Sequence, residues 1–159
     1  MKKVAIFYFS HSGNTKTLAE KIKKLTQAEL FEVVPAKTYP SSYMDSVEQA
    51  KQEVMKNARP ELASIIPDVS SFDLIIFGYP NWWDSFPKPI ASLIDGLDLK
   101  GKEVAAFCTH EGSRLGTSIQ DLSKQCKGST VLESIAIRNS NIHNCDKDLD
   151  AWVHTILID

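Results

Sequence analysis

Three short stretches hold most of the side chains able to do chemistry. Ser10-His11-Ser12-Gly13-Asn14-Thr15 gathers hydroxyl, imidazole and amide groups around one glycine. Pro80-Asn81-Trp82-Trp83-Asp84-Ser85-Phe86-Pro87 sets two adjacent indoles between prolines. Cys108-Thr109-His110-Glu111-Gly112-Ser113-Arg114 mixes a thiol, an imidazole, a carboxylate and a guanidinium. Each begins where an apolar run ends.

The first stretch suits an anion. Ser10, Ser12 and Thr15 offer hydroxyl donors and Asn14 an amide, and backbone N–H groups entering a helix converge on the same space. Gly13 lets the backbone bend closely without a Cβ in the way. The plainer reading is a helix N-cap, where Ser and Thr are favoured anyway. Lys16 and Thr17 do not stand at the GxxxxGK[ST] spacing of a triphosphate loop, and the glycines of a dinucleotide fingerprint are missing. What remains is a set of neutral donors for one terminal phosphate monoester, with Lys16 and Thr17 in the first helical turn.

Two adjacent tryptophans cannot both enter the core from a short proline-flanked loop, although each ring buries roughly 150–250 Å² where it can. Either one packs on the helix that starts near Pro87, or the pair presents a flat platform to a planar aromatic ligand. In the third stretch Cys108 and Arg114 show the C-x5-R spacing of cysteine-dependent phosphatases, in which a thiolate attacks phosphorus. Against that, Cys108 ends an apolar strand, Glu111 repels a dianion, and no Asp stands as general acid. His143 and His154 have no metal-ligand spacing to each other or to a cysteine.

The elements that must position these stretches alternate in period. Val4-Phe9, Leu74-Tyr79 and Val104-Cys108 are nearly continuous apolar runs, as in strands buried on both faces of a parallel sheet. Leu30-Val34 and Val131-Ile137 are more mixed and suit edges. Between them fall helical stripes at Leu18, Ile22 and Leu25; at Val47, Ala50 and Val54; and at Ile90, Leu93, Ile94 and Leu97. Leu115, Ile119 and Leu122 form a fourth stripe, and Leu149, Trp152, Val153 and Ile156 a fifth. Five strands alternating with five helices predict a doubly wound α/β fold. Ligands of such sheets sit beyond the carboxyl ends of the strands, where the winding reverses. The three chemical stretches occupy those ends.

Length and composition narrow the setting. The 159 residues predict one domain spanning 1–159, long enough to bury about 70% of its unfolded surface without disulfide or metal. A net charge of −2 argues against nucleic acid or an anionic membrane. No run is long enough for a membrane span or a signal peptide, so a cytoplasmic location is expected. Cys108, Cys126 and Cys145 form no CxxC pair and are expected as reduced thiols. Oligomeric state stays open.

Strand, Ser-x-Ser-Gly-Asn-Thr, helix, a tryptophan loop after the third strand and a glycine-containing loop after the fourth together resemble the flavodoxin family, closest to its short-chain FMN proteins. The resemblance runs over essentially the whole chain, including Asn57-Pro60, Gly78-Trp83 and Phe107-Ser113. It implies a three-layer α/β/α sandwich with a five-stranded parallel sheet in the order 2-1-3-4-5, and bound FMN. Ser10, His11, Ser12, Gly13, Asn14 and Thr15 would then hold the 5′-phosphate. Pro80, Asn81, Trp82 and Trp83 would line one side of the isoalloxazine, and Thr109, His110, Glu111, Gly112 and Ser113 its edge and other side. Tyr39 and Tyr43 either cover the flavin or pack a surface loop. Bacterial receiver domains share the topology but need acidic residues where Ser10 and Pro80 stand. The implied role is electron transfer between transient redox partner proteins. Direct reaction of a small FMN-dependent oxidoreductase with NAD(P)H or a quinone is the alternative, and the Cys108–Arg114 phosphatase a remote one.

Overall fold

The computed structural model describes residues Met1–Ile158. Strand β1 (Val4–Tyr8) is buried along its whole length and takes two parallel neighbours, β2 (Glu29–Glu32) and β3 (Leu74–Pro80). Strand β4 (Glu103–His110) pairs with β3 from Leu74↔Glu103 to Pro80↔Thr109. The remaining edge is shared by two short pieces on β4, β5 (Thr130–Val131) and β6 (Ile135–Arg138). The order is β2-β1-β3-β4-β5, all parallel, as the family resemblance implied.

Helices α1 (Asn14–Thr26), α2 (Tyr43–Met55), α3 (Lys88–Asp95), α4 (Ser118–Gln125) and α5 (Asp146–Leu157) connect and follow the strands. Alternation along each strand divides the core in two. Phe7, Ile75, Phe77, Val104 and Cys108 face α3 and α4, where Ile90, Leu93, Ile94 and Leu122 meet them. Ile6, Leu74, Ile76, Ala105 and Phe107 face α1 and α5, against Leu18, Ile22, Leu149 and Trp152. Period two in the strands and 3.6 in the helices produce this three-layer arrangement. At Gly78 the Phe107 ring of the paired strand occupies the space a Cβ would need.

Two expectations shift. The run Val131-Ile137 is one strand by pattern, yet the structure interrupts it at Leu132–Ser134. The ladder is patched there by side chains: Ser134 Oγ accepts Ala106 N–H at 3.0 Å, and the Trp152 indole N–H donates to the Glu133 carbonyl at 2.8 Å. Leu115 was expected in the fourth helical stripe, but α4 begins at Ser118 and Leu115 packs from the preceding loop. Among the described residues no helix is long and apolar enough to cross a membrane.

Candidate functional site

The first loop curls around its own serine. Ser10 Oγ accepts the backbone N–H groups of Gly13 and Lys16, each at 3.2 Å, and still has its hydroxyl proton to donate. Gly13 sits at φ 101°, with open space where a Cβ would be, so the turn into α1 stays unobstructed. The N–H groups of Asn14 and Thr15 have no acceptor among the described residues. They point out of the positive end of α1. His11 and Ser12 are exposed and Asn14 is half-buried. Thr15 differs from the others: it is buried, and its hydroxyl lies 2.9 Å from that of Thr109.

In the second loop the two indoles part. Trp82 is half-buried and meets three rings edge-on: Tyr39 at 4.9 Å, Phe9 at 5.3 Å and His11 at 5.6 Å. Trp83 is 47% exposed, and its Nε1 donates to the Val47 carbonyl of α2 at 3.1 Å. The separation comes from the backbone. Trp83 and Asp84 both have positive φ (54° and 70°), and Trp82 and Ser85 exchange N–H···O bonds around them. This is a two-residue turn of the I′ hand made without glycine. Its strain, about 1–2 kcal/mol per residue, is offset by a clamp on the Asp84 carbonyl. Thr117 donates to it through N–H (2.7 Å) and Oγ1 (3.1 Å), and a Cβ on Gly116 would collide with that oxygen.

In the third loop Thr109 and His110 are buried while Glu111, Gly112 and Ser113 are exposed. Residues beyond the loop support it: Arg138 Nη2 donates to the Glu111 carbonyl at 3.0 Å, and Asn139 Nδ2 donates to the Glu111 carboxylate at 2.5 Å. Burial, then the cations of Arg138 and Arg114, hold His110 below the usual imidazole value, with Glu111 pulling the other way. The three loops are tied pairwise. His11 and Trp82 join the first to the second, Thr15 and Thr109 the first to the third. Asn81 joins the second to the third, its N–H bound to the Thr109 carbonyl and its amide to that of Arg114, both at 2.8 Å. The three loops thus meet at the carboxyl edge of β1, β3 and β4.

A family model described as Flavodoxin matches residues 3–156. The chain belongs to the flavodoxin family. Among solved structures, a candidate flavoprotein from Bacteroides eggerthii is 29% identical with a TM-score of 0.87, each chain covered over 100% of its length. A Lactobacillus acidophilus flavoprotein in complex with FMN is 30% identical with a TM-score of 0.76, covering 96% of this chain and 99% of its own. A Fusobacterium nucleatum flavodoxin bound to flavin mononucleotide is 16% identical with a TM-score of 0.63, covering 98% of this chain and 97% of its own, and supports the fold alone. No curated protein gives a match.

In this flavodoxin-family chain the phosphatase geometry does not form. Cys108 is fully buried, its thiol donates toward the carbonyls of Thr109 and Arg114 at 3.5 Å, and burial pushes it up to about 12. A neutral, enclosed thiol is no nucleophile, and the Arg114 side chain is exposed. A groove of about 810 Å³ lies instead between α3 and α4 and meets the second loop at Trp83 and Ser85. Tyr39 belongs to the cleft through Trp82 and donates to Glu53, whereas Tyr43 is exposed on α2. Arg138 and Asn139 escaped the motif reading. Their signal was position, directly after the fifth apolar run and hence at the same sheet edge.

Proposed function

We propose that this chain binds FMN non-covalently in the three-loop cleft and works as an electron carrier between transient protein partners. The observation that carries the reading is the first loop: neutral hydroxyls and uncommitted N–H groups at a helix N-terminus, wrapped around an open glycine, tied to an aromatic wall one strand away. Those donors fit a phosphate monoester. Ser10, Ser12, Asn14 and the Thr15–Thr109 hydroxyl pair, which keeps one proton to donate, would hold it. Trp82, braced by Phe9, His11 and Tyr39, would stand beside the ring. Asn81, Thr109 and His110 would supply the polar edge. The complex of the Lactobacillus acidophilus relative with FMN supports FMN as the cofactor. When bound, FMN supplies reversible electron transfer, and the protein orients it and limits water around it.

Among the sequence-derived candidates, Trp83 has the weakest geometric case, because its indole is held on α2. The direct test is the visible spectrum of the purified protein, with quenching of added FMN fluorescence. A colourless protein that leaves FMN fluorescence unchanged overturns the proposal.

A second reading, direct turnover of NAD(P)H or a quinone, is favoured by one feature. Glu111–Arg114 are exposed and include no aromatic ring to cover the outer side of the cleft. Anaerobic mixing of the FMN-loaded protein with NADH or NADPH and a quinone separates the two. A carrier leaves the nucleotide unoxidised over many turnovers' time; steady oxidation identifies a reductase.

A further inference from the structure

Two buried side-chain polar atoms lack any hydrogen-bond partner among the described residues, and both belong to the support of the third loop: His110 Nδ1 and Asn139 Oδ1. Orphaned buried polar atoms are rare enough to call for a physical reason. His110 ends β4, opposite Arg138 of β6 in the register, and is only 9% exposed. The charged groups that face it are Arg138 from β6, and Arg114 and Glu111 from its own loop. The one carboxylate among them is turned to Asn139 rather than to the imidazole. The backbone on its other side is pinned through Thr109, which is bonded to Thr15 of α1 and to Asn81.

A neutral imidazole in this setting has a bare lone pair at Nδ1 if its proton is on Nε2. Two guanidinium cations against one carboxylate already bonded to Asn139 oppose a second proton. Negative charge added to the cleft would remove that opposition, because an opposite charge nearby favours the protonated form.

Resting on the FMN reading above, we propose that His110 is the proton-accepting group of the cleft: it stays neutral in the cofactor-free and oxidised protein and takes up one proton at Nδ1 when the bound cofactor is reduced. The electrons come from a low-potential donor such as dithionite. The proton comes from water, and the only bond formed on the protein is that N–H. His110 would thereby couple electron delivery to pH.

The test follows the imidazole itself by NMR titration of the four histidines in three states: cofactor-free, FMN-loaded, and FMN-loaded with dithionite. His110→Gln assigns the resonance by its loss. If that variant fails to fold, single substitution of His11, His143 and His154 assigns it by elimination. The expected result is a His110 midpoint at least about one pH unit higher in the reduced state than in the oxidised one, a ten-fold gain in proton affinity, with His143 and His154 unmoved. Arg114→Gln, which removes an exposed guanidinium that makes no side-chain hydrogen bond among the described residues, should raise the midpoint in the cofactor-free protein. An equal midpoint in the oxidised and reduced states overturns the proposal, as does an unmoved one in the Arg114 variant. Loss of FMN quenching in the wild-type protein overturns the FMN reading and this proposal together. Quenching with a static His110 overturns this proposal alone.

Discussion

The Thr15 and Thr109 hydroxyls, 2.9 Å apart and buried, join a helix N-terminus to a strand end that lies far away in sequence. Thr15→Val should leave the Thr109 oxygen unpaired and cost about 1–3 kcal/mol. For a chain of this size that is roughly 2–4 °C of Tm per kcal/mol, and Thr15→Ser should recover most of it. A Thr15→Val protein melting like wild type would remove the bridge from the account. Trp82 and Trp83 make the contrast between residue type and position sharper. Their sequence context is nearly identical, yet one braces the cleft and the other lies on α2, because φ turns positive at Trp83. Nothing in an Asn-Trp-Trp-Asp run announces a glycine-free I′ turn; the clamp from Gly116 and Thr117 that stabilises it is some thirty residues downstream. Trp82→Leu should therefore weaken FMN binding about ten-fold, the scale of one aromatic contact of about 1.4 kcal/mol. Trp83→Phe should change it less than about two-fold while loosening α2. Fluorescence titration of both variants checks the order, and equal losses would contradict the geometry.

Among the elements, the central strands were legible because burial on both faces leaves a nearly continuous apolar run, too short for a helix and followed by turn-forming residues. VAIFYF and LIIFGY became β1 and β3 within a residue or two of their patterns. The fifth strand was legible only as a segment. VLESIAI carries a glutamate and a serine at its middle, and the structure breaks the ladder there. The polar residues are the cause and the repair: the chain leaves β4 after Leu132, whose N–H still reaches the Val104 carbonyl, and Ser134 Oγ takes the Ala106 N–H in place of a backbone carbonyl. Ser134→Ala should leave that N–H unpaired in a partly buried place, lowering stability by about 1–3 kcal/mol. Amide hydrogen exchange at Ala106 should accelerate while the β1–β3 pairing stays protected. Unchanged exchange at Ala106 would mean the ladder does not depend on the serine.

Across the whole molecule, the parallel order puts every strand end on one edge, so the position of the cleft followed from the alternation of periods alone. The support from Arg138 and Asn139 did not, since it depends on where the broken fifth strand resumes. The same sheet also buries chemistry that is kept silent. Cys108 and Cys126 lie in the α3/α4 half of the core, and burial pushes both thiols from 9.0 up to about 12. Burial raises the Tyr79 hydroxyl as well, its bond to Ser118 acting in the opposite sense. In the unfolded chain these thiols release protons near pH 9, whereas the folded chain retains them. The folded state therefore binds more protons between about pH 9 and 12, and its stability must fall as pH rises through that window. Below pH 9 the contribution is fully present. Melting temperature measured from pH 7 to 11 should hold and then decline from about pH 9. Cys126→Ala should start lower at neutral pH, by roughly 1 kcal/mol for the lost packing, and decline less steeply. Parallel curves for the variant and the wild type would show that Cys126 ionises equally in both states, which a thiol this enclosed cannot do unless the α3/α4 half opens first.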